Sequence, residues 1–239
     1  MKIEIIKCLQ DNYSYLVINE ENNSACVVDP SEADPIIDMI EKRKISLKFI
    51  LNTHHHFDHV GGNKKLKNKY NAKVIGFIDD KNRIPEIDIL LKDKETFKNK
   101  SFEFKIYHIP GHTTGHICIN FFKEKILFTG DTLFSLGCGR IFEGTYKQMY
   151  NSLELLKSFP LETKIYCGHE YTLNNSKFCI YYDKHNEMLK KKIISIKKKI
   201  QKGLPTVPST IKEELQTNIF FRCNSIETFS KLRDLKDNF

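Results

Sequence analysis

Four potential metal ligands stand within six positions of this chain, and this cluster constrains the fold more than any other feature. His54, His56, Asp58 and His59 follow the apolar run 49–51, which predicts a buried strand. Imidazole and carboxylate groups are ligands that zinc, iron and manganese accept. Burying four such groups without a metal would leave many polar atoms to satisfy, so the cluster predicts a metal site where a strand ends.

Three further candidate ligands, His112, Asp131 and His169, also follow predicted strands. Open sheets hold ligands at strand ends, so these groups could face one cleft with the early cluster. A catalytic zinc uses about three protein ligands and leaves a position for water. Seven candidates exceed that number and suit two ions if a carboxylate bridges them. The predicted chemistry is hydrolysis of an ester, thioester, lactam, lactone or phosphodiester, and spacing alone does not choose among these.

Four other histidines are predicted to lie outside the ligand set. In an extended segment side chains alternate between faces, so His55 should point away from its two neighbours. His108 lies on a predicted strand before the loop, and His185 belongs to the helical C-terminal third. His116 is a candidate for supporting the ligands from a second layer.

Cysteine content and charge bear on the compartment of the protein, which we expect to be cytoplasmic, and on its partner. The chain has 239 residues with 40% hydrophobic composition, enough for a substantial core. Residues 1–170 carry 24 basic and 23 acidic side chains, whereas residues 171–239 carry 14 and 7. An excess of this kind is compatible with an anionic partner, whether nucleic acid, a membrane surface or an acidic small molecule, but a solvated lysine face is the favoured interpretation of the lysine runs. Seven scattered cysteines indicate a reducing compartment, and we expect neither a signal peptide nor a membrane span.

Hydrophobic periodicity predicts an α/β body followed by a helical appendage. Strands are predicted at 2–8, 13–19, 25–29, 49–51, 73–77, 102–109, 117–122, 126–128 and 164–167. Helices are predicted at 34–44, 63–70, 145–158, 174–202 and 225–235, with a short one opened by a capping box at Thr210. The polar segment 79–88 predicts a surface loop.

Several motifs carry a resemblance to a known family. The segment Thr-His-His-His-Phe-Asp-His at 53–59 resembles the H-x-H-x-D-H signature of the metallo-β-lactamase superfamily, and the later ligand candidates stand in that superfamily's order. Seven flanking motifs are similar to the glyoxalase II, or hydroxyacylglutathione hydrolase, family: they lie at 11–15, 110–113, 130–134, 137–140, 142–145, 168–172 and 205–210. The resemblance covers essentially the whole chain.

The resemblance implies a fold and a binuclear metal site. The fold would be a metallo-β-lactamase-like αββα sandwich over residues 1–172, followed by a helical substrate-binding domain over 173–239. One metal would be held by His54, His56 and His112, a second by Asp58, His59 and His169, with Asp131 bridging. Zinc is the favoured ion, and iron and manganese are the alternatives.

The implied substrate is S-D-lactoylglutathione, together with related S-2-hydroxyacylglutathiones. A hydroxide bridging the two metals would attack the thioester carbonyl, with Asp58 orienting the nucleophile, and release D-lactate and glutathione. The residues that would contact glutathione are Arg140, Phe142, Tyr171, Arg233 and Lys236. Many relatives have tryptophan, lysine and tyrosine where this chain has Phe57, Arg140 and Phe142. We expect a monomer or weak homo-oligomer that binds neither nucleic acid nor membrane.

Three other functions are compatible with parts of the pattern. A persulfide dioxygenase of the same scaffold would use one iron and O₂, but the appendage motifs argue against it. A nuclease on this scaffold would use the basic C-terminal region to hold phosphates. A non-catalytic nucleic-acid-binding protein with a structural metal would need only four ligands, fewer than the seven candidates present.

Overall fold

A six-stranded mixed sheet organises the first of the two units into which the chain folds. The computed structural model describes residues 1–239; the first unit comprises 1–108 and 115–124, and the second comprises 109–114 and 125–239. The strands in order across the sheet are β1 (Lys2–Cys8), β2 (Asn12–Asn19), β3 (Ser24–Val28), β4 (Ser46–Leu51), β5 (Lys73–Phe77) and β6 (Ile87–Leu91). β1 to β3 pair antiparallel, and β3 to β6 pair parallel.

The parallel half of this sheet places functional residues at one edge. Most residues of β3, β4 and β5 are apolar, as expected for parallel strands, and Val27, Ile50 and Val74 are fully buried in one cluster. Three helices accompany them: α1 (Asp34–Arg43), α2 (Phe57–Val60) and α3 (Asn63–Tyr70). Since neighbouring parallel strands end at the same edge, Asp29 after β3 and Thr53 after β4 lie together.

A three-stranded antiparallel segment completes the first unit. It consists of β7 (Thr96–Lys98), β8 (Glu103–His108) and β9 (Ile117–Phe121). Phe104 and Ile106 of β8 are buried while their neighbours along the strand are partly exposed, which is the alternation that the sequence predicts. The residue that begins β9, Ile117, donates its backbone N–H to the carbonyl of Thr53 at 2.9 Å. This bond ties the start of β9 to residues 53–59, the histidine segment.

The second unit begins with a parallel strand pair. It contains β10 (Ile126–Gly130), β11 (Leu133–Phe134), β12 (Gly137–Cys138), β13 (Lys164–Cys167) and β14 (Ser209–Thr210). β10 and β13 are parallel neighbours, β13 and β14 are antiparallel, and β11 and β12 form a small hairpin. Helix α4 (Tyr146–Lys157) starts with a capping box in which Thr145 and Gln148 satisfy each other's backbone N–H groups.

Four helices form the C-terminal part of the second unit. They are α5 (Thr172–Tyr182), α6 (Glu187–Gln201), α7 (Ile211–Thr217) and α8 (Ile226–Asp237). The prediction of a single helix over 174–202 is wrong, because α5 ends before Asp183 and a new helix begins after Asn186. The Asn186 side chain caps α6 by accepting the N–H of Leu189 at 3.0 Å. Thr210 caps α7 in the same way, as its sequence predicts.

The prediction of a surface loop over 79–88 is also wrong in part. A short 3₁₀ helix covers Ile78–Asp80, and β6 begins at Ile87. Asp80 is fully buried, although its neighbour Asp79 is exposed. A polar sequence with no apolar periodicity did not reveal that one of its carboxylates is packed inside.

Candidate metal centre

The histidine segment follows strand β4 and is held by a buried carboxylate: residues 53–56 form neither helix nor strand, and α2 begins at Phe57. Asp29 accepts the backbone N–H of Thr53 at 2.8 Å and its hydroxyl at 2.6 Å. The same carboxylate lies 3.0 Å from Nδ1 of His59, and the ligand atoms of Asp29, His54 and His59 lie within 4.8 Å of one another. Asp29 therefore fixes both ends of the cluster, a role for which its sequence context gives no signal.

Hydrogen bonds at Nδ1 fix the tautomers of His54 and His59. Thr53 gives its hydroxyl proton to Asp29, so its oxygen accepts the Nδ1 hydrogen of His54, 3.0 Å away. An ionised carboxylate only accepts, so His59 likewise carries its proton on Nδ1, facing Asp29. In both rings Nε2 then presents its lone pair. This arrangement, with one ring nitrogen held by an acceptor, is the usual support of a metal-ligating histidine.

The other ligand candidates of the first unit lie beside these two rings. The ring of His56 is 4.7 Å from that of His54, and Asp58 Oδ2 is 3.6 Å from Nε2 of His59. Asn12 donates its side-chain N–H to the Asp58 carboxylate at 2.9 Å and to the Asp58 carbonyl at 3.1 Å. The first unit thus brings together all four ligand candidates of the segment 54–59.

His55 and His116 take positions outside this group. His55 turns towards the buried Asp80, with Nδ1 3.5 Å from Oδ2 of that carboxylate, as strand-like alternation predicts. The buried ring of His116 stacks on His54, with centroids 4.6 Å apart and planes at 22°. His116 therefore supports a ligand candidate by packing against it.

The second unit brings the other three candidates together. Asp131 follows β10 and His169 follows its parallel neighbour β13, so both emerge at one edge. Asp131 Oδ2 lies 3.2 Å from Nε2 of His169 and 3.6 Å from Nε2 of His112. Gly139 is required for this approach, because a Cβ there would lie 1.9 Å from the Asp131 carbonyl oxygen.

His112 is oriented by a backbone carbonyl. Its Nδ1 lies 2.8 Å from the carbonyl oxygen of Arg140, and a carbonyl only accepts, so Nδ1 carries the proton. Nε2, the nitrogen that faces Asp131, keeps its lone pair. The donor set of each unit contains at least three imidazole and carboxylate groups, and this chemistry fits divalent metal ions.

The residues predicted to contact glutathione differ in accessibility. Arg140, Phe142 and Tyr171 are exposed, with the Tyr171 ring stacked on His169 at 4.7 Å and 7°. Arg233 is only 3% exposed: one guanidinium nitrogen donates to the Cys138 carbonyl at 2.8 Å, and another to a carboxylate at 2.7 Å. That burial was not visible in a sequence that shows an arginine on an amphipathic helix.

Asp237 links two of the predicted cations. Its Oδ1 accepts from Arg233 and lies 3.3 Å from Nε of Arg140. Lys236, the next residue back, places its ammonium 5.2 Å from the ring centre of Phe178 and 5.5 Å from that of Phe239. Desolvation, followed by the nearby Arg233 cation, lowers the pKa of Lys236 from its ordinary value.

Comparison with known proteins defines first the class and then the family. Residues 10–169 match the sequence model described as the metallo-beta-lactamase superfamily, and residues 170–239 match the one described as the hydroxyacylglutathione hydrolase C-terminus. The fold and the histidine and aspartate groups are those of a metallo-β-lactamase-type hydrolase. Within this class, the chain belongs to the hydroxyacylglutathione hydrolase family, also called glyoxalase II.

Curated relatives support this assignment over the full chain. The chain is 65% identical over 239 residues to a hydroxyacylglutathione hydrolase of Pelagibacter ubique, covering 100% of both. It is 41% identical over 253 residues to one of Methylococcus capsulatus, covering 100% of this chain and 99% of that one. The predicted family and enzyme class are thereby confirmed.

Solved structures confirm the predicted fold class. ETHE1 from Myxococcus xanthus is similar with a TM-score of 0.75 and 23% identity, over 98% of this chain and 90% of that one. BLEG-1 B3 metallo-beta-lactamase is similar with a TM-score of 0.73 and 20% identity, over 93% and 100%. Family and donor groups together imply divalent metal ions. No helix of the chain combines the length and apolar character needed to cross a bilayer.

Proposed function

We propose that this chain hydrolyses the thioester bond of S-D-lactoylglutathione and related S-2-hydroxyacylglutathiones, releasing D-lactate and glutathione. The observation that carries the proposal is the match of residues 170–239 to the hydroxyacylglutathione hydrolase C-terminus, directly after the metallo-β-lactamase match over 10–169. A metal-ligating scaffold alone specifies only hydrolysis. The helical C-terminal part narrows the substrate to a glutathione thioester.

The proposed metal site uses the seven ligand candidates in the sets that the family resemblance implies. One ion would be held by His54, His56 and His112, and the other by Asp58, His59 and His169, with Asp131 between them. Zinc is the proposed ion, and elemental analysis distinguishes it from iron and manganese, which accept the same donors. Metal bound by these residues would supply an activated water at neutral pH and polarisation of the substrate's carbonyl.

The chain's own residues orient the reactants. Asp58, held by two hydrogen bonds from Asn12, is the proposed acceptor that orients the attacking water. The thiol released has a pKa of about 8.5 in solution, so it leaves as a thiolate without a dedicated acid. We therefore assign no general acid to the leaving group.

Glutathione carries two carboxylates, and the proposed pocket meets them with cations. Arg140 and Lys236 are the proposed partners, with Tyr171 and Phe142 lining the path of the tripeptide. Arg233 remains in the proposed set of glutathione contacts. Its hydrogen bonds to the Cys138 carbonyl and the Asp237 carboxylate indicate that it also stabilises the structure around the proposed pocket. Without a hydroxyl at Phe142, affinity for glutathione rests more heavily on Tyr171 and the cations.

The remaining parts of the proposal concern the protein's surroundings. We place it in the cytoplasm as a monomer or weak homo-oligomer that binds no nucleic acid. All seven cysteines are buried and none forms a disulfide, which supports a reducing compartment.

A substrate comparison tests this function. Loss of thioester absorbance is followed for S-D-lactoylglutathione and for the D-lactoyl thioester of a simple thiol without carboxylates. We expect kcat/KM to favour the glutathione thioester, because only it engages the cations. Equal turnover of both would overturn the glutathione assignment. Oxygen uptake with glutathione persulfide, or salt-sensitive nucleic-acid cleavage, would support the alternative functions instead.

A further inference from the structure

A buried carboxylate outside the proposed ligand sets contacts the histidine segment. Asp80 is fully buried. Its Oδ1 accepts from Nε of Arg83 at 2.9 Å and also from a terminal nitrogen of that guanidinium, while its Oδ2 lies 3.5 Å from Nδ1 of His55. Arg83 offsets the charge that burial would otherwise make costly.

His55 is placed to transmit this contact to two ligand candidates. It stands between His54 and His56 in a segment, 52–56, that forms neither helix nor strand. Without a strand ladder there, side-chain contacts contribute to the backbone course. Asp29 accepts hydrogen bonds from Thr53 at the start of the segment, and Asp80 contacts the ring of His55 near its end.

The same carboxylate also packs against a second segment that reaches His54. A Cβ on Gly115 would lie 1.9 Å from Oδ1 of Asp80, so the carboxylate and this backbone are in direct contact. The next residue, His116, stacks on the ring of His54. Asp80 therefore touches both the neighbour of His54 in sequence and the segment that carries its stacking partner.

We propose that Asp80 is a positioning residue for the metal site, which acts through His55 to keep His54 and His56 in the geometry that an ion requires. The inference rests on the ligand assignment of the proposed function. It concerns geometry only, because the carboxylate contacts His55, which lies outside the proposed ligand sets. Loss of an outer-layer partner of this kind typically lowers metal affinity about 10- to 100-fold.

A double-mutant cycle on zinc affinity tests the proposal. Asp80→Asn keeps the shape and removes the charge, while His55→Phe keeps a ring and removes its nitrogens. Zinc affinity is measured by competition with a chromophoric chelator for the wild type, both single variants and the double variant. We expect each single change to weaken zinc by about tenfold or more. If Asp80 acts through His55, the zinc affinity of the double variant should be no lower than that of the single variant that binds zinc more weakly.

Asp79→Asn is the matched control, because Asp79 is the exposed neighbour in the same 3₁₀ helix and should leave zinc affinity unchanged. Additive losses in the cycle would overturn the proposal, since a merely structural effect of Asp80 would not depend on the His55 ring. Unchanged zinc affinity in either single variant would also overturn it.

Two further readouts keep the test decisive. Thermal melting shows whether each variant folds. If Asp80→Asn does not fold, folded His55→Phe must still bind zinc more weakly than the wild type does. A wild-type zinc affinity in His55→Phe would refute the proposal. In folded Asp80→Asn the loss should fall on kcat at limiting zinc, with KM for the thioester unchanged. A wild-type chain that binds zinc without thioester turnover would refute the proposed function, while the affinity cycle would still decide the role of Asp80.

Discussion

Asp131 is the residue on which the second unit's ligand group depends, because its carboxylate approaches the Nε2 atoms of both His112 and His169. We expect Asp131→Ala to lose bound metal and to lower kcat by more than the about 10- to 100-fold typical of an outer-layer partner. Elemental analysis and the thioester assay on the same preparation measure both. Asp131→Ala with full metal content and normal turnover would remove this carboxylate from the site.

The proposed role of Lys236 in binding glutathione predicts a pH dependence of KM, whose direction follows from the pKa of this lysine. Burial and the Arg233 cation lower that pKa, so the ammonium loses its proton at a lower pH than an ordinary lysine does. Below this pKa the cation is present to bind a glutathione carboxylate, and KM should rise as pH increases through it. Lys236→Arg stays charged, so its KM should remain flat over the same alkaline range. Identical KM profiles for the two proteins would exclude Lys236 from the pocket.

At the scale of elements, a buried carboxylate on α7 holds the β11–β12 hairpin. Glu214 is fully buried and accepts from the backbone N–H of Leu136 at 2.8 Å, from Lys192 at 2.6 Å and from Asn218 at 3.0 Å. Asn218 in turn donates to the carbonyl of Gly137 at 3.0 Å. Helices α6 and α7 are thus tied to the hairpin by hydrogen bonds to charged groups.

Glu214→Gln should therefore lower the free energy of unfolding by about 1.5–3 kcal/mol, the range for hydrogen bonds to a charged group. Denaturant unfolding measures the change. Glu213→Gln is the control, because Glu213 is the exposed neighbour on the same helix and should change stability by less than about 0.5 kcal/mol. Equal effects of the two substitutions on the free energy of unfolding would show that the buried hydrogen-bond network does not stabilise the fold.

Periodicity in the sequence predicts many elements but not their interruptions. The bounds predicted for 2–8, 63–70, 73–77 and 164–167 are those observed. The helix predicted over 174–202 is interrupted because Asp183 pairs with Arg222, 39 positions away, and Asn186 caps a new helix. A stripe of apolar residues continues through such a break, so the pattern alone does not show it.

At the scale of the whole molecule, buried thiols predict how stability varies with pH. Burial raises the pKa of Cys223 to about 11 and that of Cys167 and Cys179 to about 12, from the ordinary value of 9.0. Between those values the unfolded chain loses thiol protons that the folded chain keeps, so ionisation favours the unfolded state. We expect the free energy of unfolding to fall as pH rises above 9. A constant or rising value from pH 8 to 10 would contradict this.

The candidate site was predictable in its chemistry and only partly in its construction. The seven ligand candidates were identified by residue type and by position after strands, and the resemblance assigned them to two ions. Asp29 and Asp80, which hold the histidine segment, gave no such signal, because a buried carboxylate is revealed only by contacts with Thr53 and His55, 24 and 25 positions away. Long-range packing, which a local pattern does not encode, decides these positions.

The most direct test of the account is to restore metal to the stripped chain while turnover of S-D-lactoylglutathione is measured. Bound metal is removed with a chelator and zinc is then added in steps, and metal content and loss of thioester absorbance are recorded at each step. We expect turnover to vanish in the stripped protein and to return in proportion to bound metal. A folded, metal-replete chain that leaves the thioester intact would contradict the account.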